Sequence, residues 1–263
     1  VMKKPGMDLT GLDLTQPNPA RVYDYFLGGA HNFEIDRREA ERLLRVNPWL
    51  AGAVRENRHF LRRVVRRLAA AGVRQFLDIG SGIPTAGNVH EIALQSAPDA
   101  AVVYVDIDPL AVAHSLELLA GSDRASAILG DVREPGRILA DPTVRARLDF
   151  DRPVGVILSG VLHFVPGDVD AILDPLRAAL AEGSHLVITH AATTSPVKTS
   201  GAFVMDGAGI TLRDPDEIRA MFDGLTLLPP GVVAVPEWLP EHTGPAARAP
   251  AAALSFAGVG RRD

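Results

Sequence analysis

Short apolar runs recur through the middle of the chain, and nearly every one stops at glycine, serine or acid. Gln75 to Ile79 breaks into Gly80-Ser81-Gly82, and Ala101 to Asp108 (AVVYVDID) ends in acid. Ala125 to Leu129 ends in Gly130-Asp131, Val154 to Leu158 ends in Ser159-Gly160, and a fifth run, Leu186 to Thr189, follows a helical stretch. Helix-forming segments lie between them, the first expected to begin near Thr85. Strand, helix, strand repeated in this order predicts an α/β fold: a right-handed parallel sheet with helices on both faces and a ligand crevice at the carboxyl edge of its strands.

The pattern changes on either side. Before about Pro17 the chain predicts an arm with few periodic apolar positions. Asn18-Pro19 predicts a helix start, an N-cap followed by proline at the first helical position, and Gly28-Gly29 its stop. Glu34 to Arg45 predicts a second helix and Pro48 to Ala70 a third, with Leu50, Val54, Leu61, Val64, Val65 and Leu68 at helical spacing. Its other face carries Arg55, Arg62, Arg63, Arg66 and Arg67, the default of a solvated side. Residues 1–72 therefore form an arm and helical lobe, and residues 73–263 the sheet domain. After the fifth run, Ala191 to Arg213 is a long Thr-, Ser- and Gly-rich segment, a type that is usually functional or mobile. Asp214-Pro215 then caps a helix to about Phe222. The last apolar runs, Leu225 to Val235 and Ala252 to Val259, are suited to pairing as an antiparallel edge.

Composition narrows the classes. Of 263 residues 47% are hydrophobic and 22% charged, as in soluble globular proteins, and no apolar run approaches the roughly twenty residues that span a bilayer. Zero cysteine excludes disulfides and thiolate metal sites, and the first residues, VMKKPGMDLTG, lack the apolar segment of a secretory signal. The expectation is a cytoplasmic protein with no membrane partner. A net charge of −5 argues against a generic nucleic-acid binder, whose affinity comes from neutralising phosphates. His31, His90, His185 and His190 have no metal-ligand spacing, so no metal is expected.

The glycine turn carries the chemistry. Glycine reaches unusual φ/ψ and lets a ligand approach without a Cβ in the way. A dinucleotide fingerprint wants glycine at the first, third and sixth positions, but Gly80-Ser81-Gly82-Ile83-Pro84-Thr85 has threonine at the sixth, where close helix packing beneath a pyrophosphate would need glycine. S-adenosylmethionine has no pyrophosphate and needs backbone proximity only to its amino-acid end and ribose. Its common GxGxG loop is also altered here, with Pro84 in the last glycine position. Asp106 or Asp108 suits ribose hydroxyls, Asp106 being favoured and Asp108 equally suited to capping the following helix. Asp131 offers an acceptor to an adenine amino group.

At this point the chain resembles class I S-adenosylmethionine-dependent methyltransferases, and within them the actinobacterial S-adenosyl methyltransferase family. The resemblance rests on PARVYDYFLGGAHNF from Pro19, FLDIGSGIPTAGNVHE from Phe76, VVYVDIDP, and GDVREP from Gly130, and covers nearly the whole chain. It implies a Rossmann-like fold with a seven-stranded, mostly parallel sheet whose last strand is reversed, and an N-terminal helical lobe closing over the cofactor, S-adenosyl-L-methionine. By position it implies Gly80, Ser81 and Gly82 along the methionine and ribose, Asp106 on the ribose, Asp131 and Val132 at adenine, and Ser159-Gly160 beneath the methionine, with Ile107 also among the cofactor-binding residues. Tyr25, Asn32 and Arg58 would come from the lobe, Tyr25 by cation–π attraction to a sulfonium.

Methyl transfer needs positioning and water exclusion more than a dedicated base. The candidate base is His163, in Ser159-Gly160-Val161-Leu162-His163-Phe164, with local packing as its other role. The Asn/Asp-Pro-Pro-Tyr motif of nucleic-acid amino methyltransferases is absent at that strand end, so a small-molecule acceptor, methylated on oxygen or nitrogen, is expected. Two alternatives remain: a catalytically silent S-adenosylmethionine-binding sensor or interaction module, and an NAD(P)-dependent oxidoreductase, which the absence of a Tyr-x-x-x-Lys pair disfavours.

Overall fold

A computed structural model describes residues 15–84, 87–194, 204–205, 208–239 and 254–263. The lobe is α1 (Pro19–Phe26), α2 (Glu34–Val46) and α3 (Leu50–Ala70). Then follow β1 (Gln75–Ile79), α4 (Val89–Ser96), β2 (Ala101–Asp106), α5 (Pro109–Leu118), β3 (Ala125–Leu129), α6 (Pro135–Ala140), α7 (Pro142–Arg147), β4 (Gly155–Ser159), α8 (Asp170–Ala178) and β5 (His185–Ala191). The chain ends with β6 (Val204–Met205), β7 (Ala208–Gly209), α9 (Pro215–Ala220), β8 (Thr226–Leu227), β9 (Val233–Ala234) and β10 (Ser255–Arg261).

The main sheet runs β3-β2-β1-β4-β5-β10-β8, with β9 also paired to β10. The first five strands are parallel and β10 is antiparallel to β5, so the last strand is reversed as the resemblance implied. The sheet has eight strands rather than seven. Pro229 and Pro230 have no N–H to donate, and they split the Leu225 to Val235 run into two short strands that both pair with β10. Alternation along each strand feeds two cores. Leu77, Val103, Val156 and Leu186 face α6 to α9, whereas Phe76, Val102, Ile157 and Val187 face α3 and α4. A third, smaller cluster, Val22, Phe26, Ala40, Leu43 and Val54, holds the lobe together.

Local chemistry sets the helix boundaries. Asn18 caps α1 through Ala20 N–H (2.8 Å), and Gly28, at φ +78°, stops it. The helix after the glycine turn starts at Val89, because the Glu91 carboxylate receives the Gly87 and Asn88 N–H groups at 2.8 Å; Thr85 lies outside the described residues. Asp214 caps α9 as expected. The arginine face of α3 is not simply solvated. Arg63 donates to the Trp238 and Val235 carbonyls (3.1 and 3.2 Å) and Arg67 lies over the Trp238 ring, so this face fastens the segment after β9. The arm before residue 15, and parts of 191–213 and of the connector before β10, lie outside the described residues.

Candidate functional site

The glycine turn folds around Asp106. Gly80 and Ser81 N–H both reach the Val105 carbonyl, Gly82 N–H donates to Asp106 Oδ2 at 2.7 Å, and Asp108 N–H donates to Oδ1 at 2.9 Å. β1 and β2 are thus tied at their carboxyl ends, and each Asp106 oxygen keeps a lone pair for another donor. Burial raises the Asp106 pKa despite those N–H groups. Gly80 and Gly82 lie at φ +74° and +67°, and the space a Gly80 Cβ would take holds the Val161 side chain. Asp108 caps α5 through Leu110 N–H (2.9 Å), with its Oδ2 buried and unpartnered.

Beneath the turn lies a pair that the sequence reasoning missed in part. Asp78, buried in β1, is pushed up to about 7 by desolvation, with Arg58 opposing and Asp106 reinforcing the shift. Arg58 reaches in from α3, buried, over the Tyr23 ring at 5.8 Å, and its Nε has no hydrogen-bond partner. A buried guanidinium nitrogen without a partner is costly unless a ligand completes it. The available signal was a lone carboxylate inside an apolar parallel strand, FLDIG.

At the next strand ends, Ile107 is 58% and Leu129 59% exposed, large apolar side chains beside the Asp106–Leu129 register pair. Gly130 N–H donates to the Asp106 carbonyl at 2.9 Å and Val132 packs on the core. The Asp131 carboxylate is forked by Arg133 Nε, 2.9 Å from both oxygens, which lowers its pKa.

The lobe meets β4 through a polar relay. Asn57 Nδ2 donates to Tyr23 Oη (3.0 Å) and Ser159 Oγ (3.1 Å), and Ser159 Oγ meets Thr189 Oγ1 at 3.3 Å. Gly160 follows at φ +72°. The Asn32 amide is engaged inside its own turn: Nδ2 donates to Asp24 Oδ2 and the Gly29 carbonyl (2.9 and 3.0 Å), and Oδ1 accepts from Arg37. Tyr25 is half-buried, edge-on to Phe26 within the lobe cluster. The lobe reaches α5 through His31 and His114, whose rings are 4.1 Å apart. His163 lies past β4, half-buried, its Nδ1 without a hydrogen-bond partner among the described residues; burial first, then His190 and Arg213, push its pKa down to about 3.

A family model described as S-adenosyl methyltransferase matches residues 6–263. The chain belongs to this family. Its cofactor is S-adenosylmethionine, and the structure fits it: the carboxylate of its amino-acid end would complete the unpartnered Arg58 Nε, and Asp106 retains acceptors for a ribose. Two solved structures align over nearly their whole length. A candidate methyltransferase of Thermobifida fusca YX is 42% identical, with TM-score 0.92 over 97% of this chain and 98% of that one. A DUF574 family protein of Streptomyces avermitilis MA-4680 is 34% identical, with TM-score 0.89 over 95% and 99%. The plantazolicin methyltransferase BamL, solved with a triazolic desmethylPZN analog and SAH, is 10% identical and shares the fold, with TM-score 0.52 over 93% and 96%. No curated protein matches the chain. Among the described residues no helix is long and apolar enough to cross a membrane, and no three acids or histidines cluster to hold a metal.

Proposed function

We propose that the chain methylates a small molecule on oxygen or nitrogen, with residues 1–72 forming a lobe over the cofactor and residues 73–263 the core that carries it. The observation that carries this reading is the closure of the glycine turn on the second strand's acid, Gly82 N–H to Asp106 at 2.7 Å, near the buried Arg58 Nε that has no partner. Bound S-adenosylmethionine supplies a methyl group activated on a sulfonium. The side chains would do the rest. Arg58 would take the methionine carboxylate and Asp78 its ammonium; Asp106 would accept from the ribose; Ile107 would flank the adenine face, with Val132 and Asp131 at its edge. Ser159 and Gly160 would bound the methionine side, and the Asn57 relay would hold the lobe against them.

The acceptor would lie over Gly160, between the lobe and the segment leading to Arg213. Asn32, tied within its turn, and Tyr25, packed in the lobe, would shape the lid. His163 would face the acceptor, and with a pKa near 3 it is neutral at pH 7 and a weak base, so orientation and exclusion of water would supply the acceleration.

That weak basicity also keeps in view a chain that binds the cofactor without turning it over. Incubation of the full chain with methyl-labelled S-adenosylmethionine and an extract of hydroxylated, carboxylated and amino metabolites separates the two. Label entering a small molecule supports transfer; saturable cofactor binding with no label moved supports the silent reading.

A further inference from the structure

Three basic side chains gather on the β4–β5 side of the crevice. His190, fully buried in β5, gives its Nδ1–H to the Ala191 carbonyl at 2.8 Å, which leaves Nε2 to accept Arg213 Nη1–H at 2.6 Å. Arg213, itself buried, also donates to the carbonyls of Leu162 (3.3 Å), Val165 (3.2 Å) and Gly167, and so fastens the turn that carries His163. His163 stands edge-on to His190 at 5.7 Å and tilted on Phe164 at 4.4 Å. Its Nδ1 is buried without a partner. The same ring borders the strand-end glycine: a Cβ on Gly160 would lie 3.7 Å from His163 Cε1 and 3.6 Å from Asn57 Nδ2.

Charge decides what can occupy that corner. The charged and titratable groups acting on His163 are His190 and Arg213, with no carboxylate among them; exposed Asp168 and Glu217 act on Arg213 instead. Protonating His163 would put a second positive charge beside a guanidinium in a desolvated place. A cationic amine entering there would meet the same field and find no base to take its proton. The Asn57 amide has both N–H groups engaged, by Tyr23 and Ser159, whereas the His163 ring bordering Gly160 keeps a nitrogen without a partner among the described residues.

Resting on the methyl-transfer reading, we propose that the acceptor is the carboxylate of a small organic acid, which arrives ionised and is oriented by the His163 ring and the field of Arg213. One carboxylate oxygen forms a bond to the methyl carbon, the carbon–sulfur bond breaks, and its electron pair stays on sulfur as a neutral thioether. The product is a methyl ester and no proton moves. His163 is then a positioning group for the acceptor and not a base.

NMR on the full chain, isotope-labelled at histidine and saturated with S-adenosylhomocysteine, tests this with benzoate as probe and benzylamine as control. His163 is expected to stay neutral from about pH 5 to 8, and benzoate to shift its ring signals saturably while benzylamine does not. His163→Ala and His163→Asn should each weaken benzoate binding by about tenfold. A His163 that titrates in the ordinary histidine range, a preference for benzylamine, or no response to either probe would overturn the proposal. Calorimetry with S-adenosylhomocysteine on the same sample keeps the two readings apart: no cofactor heat sinks the methyltransferase reading, whereas cofactor binding without a benzoate response sinks only the carboxylate acceptor.

Discussion

Gly80 answers two demands at once, a left-handed backbone and the volume taken by Val161. Gly80→Ala should therefore cost roughly 2–4 kcal/mol, the sum of the αL penalty and overpacking, measured by chemical denaturation. Adding Val161→Ala should restore the packing share but not the backbone share. Asp78 gives a pH-dependent counterpart. Its folded pKa, about 7, is raised above the ordinary 3.8, so any stability tied to its protonated form is complete below about pH 4 and is lost as pH rises through 7. Asp78→Asn removes that loss. In unliganded protein the variant should exceed the parent at pH 8 by on the order of 2–4 kcal/mol, and the gap should close towards pH 4, by denaturation at each pH. A gap that stays constant with pH would show that burial does not hold Asp78 protonated. At this scale sequence reasoning found the glycines and Asp106, because strand-end residues next to glycine are conspicuous. It passed over Asp78, since a carboxylate within an apolar run reveals its partner only when α3 is folded against β1. It also drew Asn32 toward the cofactor, where the structure shows the amide bonded to Asp24, a pairing that spans eight residues and has no periodicity to betray it.

The lobe is the element most dependent on polar contacts. Arg21 and Asp36 form a fully buried pair at 3.0 Å, and Asp36 also receives the Asn18 and Phe33 N–H groups, so one carboxylate joins the start of α1 to the start of α2. Removing one partner strands a buried charge. Asp36→Ala should cost about 3–5 kcal/mol and should raise hydrogen exchange across residues 19–46 while β1 to β5 stay protected. Uniform loss of protection across the sheet would mean that lobe and core unfold as one unit. Helix starts were legible wherever an Asn-Pro or Asp-Pro pair stood, since capping is local chemistry. The role of the arginine face was not. Arg63 and Arg67 act on a segment some 170 residues onward, and a single helix period cannot distinguish solvent from a distant carbonyl.

Across the whole molecule, the order β3-β2-β1-β4-β5-β10-β8 brings the ends of β1, β2, β3 and β4 to one edge, with the lobe packed on it. The parallel half was legible because buried parallel strands are continuous apolar runs separated by helices. The antiparallel half was legible only as a tendency to pair. The two-residue strands β8 and β9 draw their stability from β10, and nothing in so few residues marks them out. The account as a whole depends on the strand-end crevice being the cofactor's seat. Calorimetric titration of S-adenosylhomocysteine into the wild-type chain and into Asp106→Ala, each with native circular dichroism, tests that directly. One site with affinity of about 1–10 μM and at least about tenfold weaker binding in the variant is predicted; no binding by the wild type, or equal affinity in both, would contradict the account.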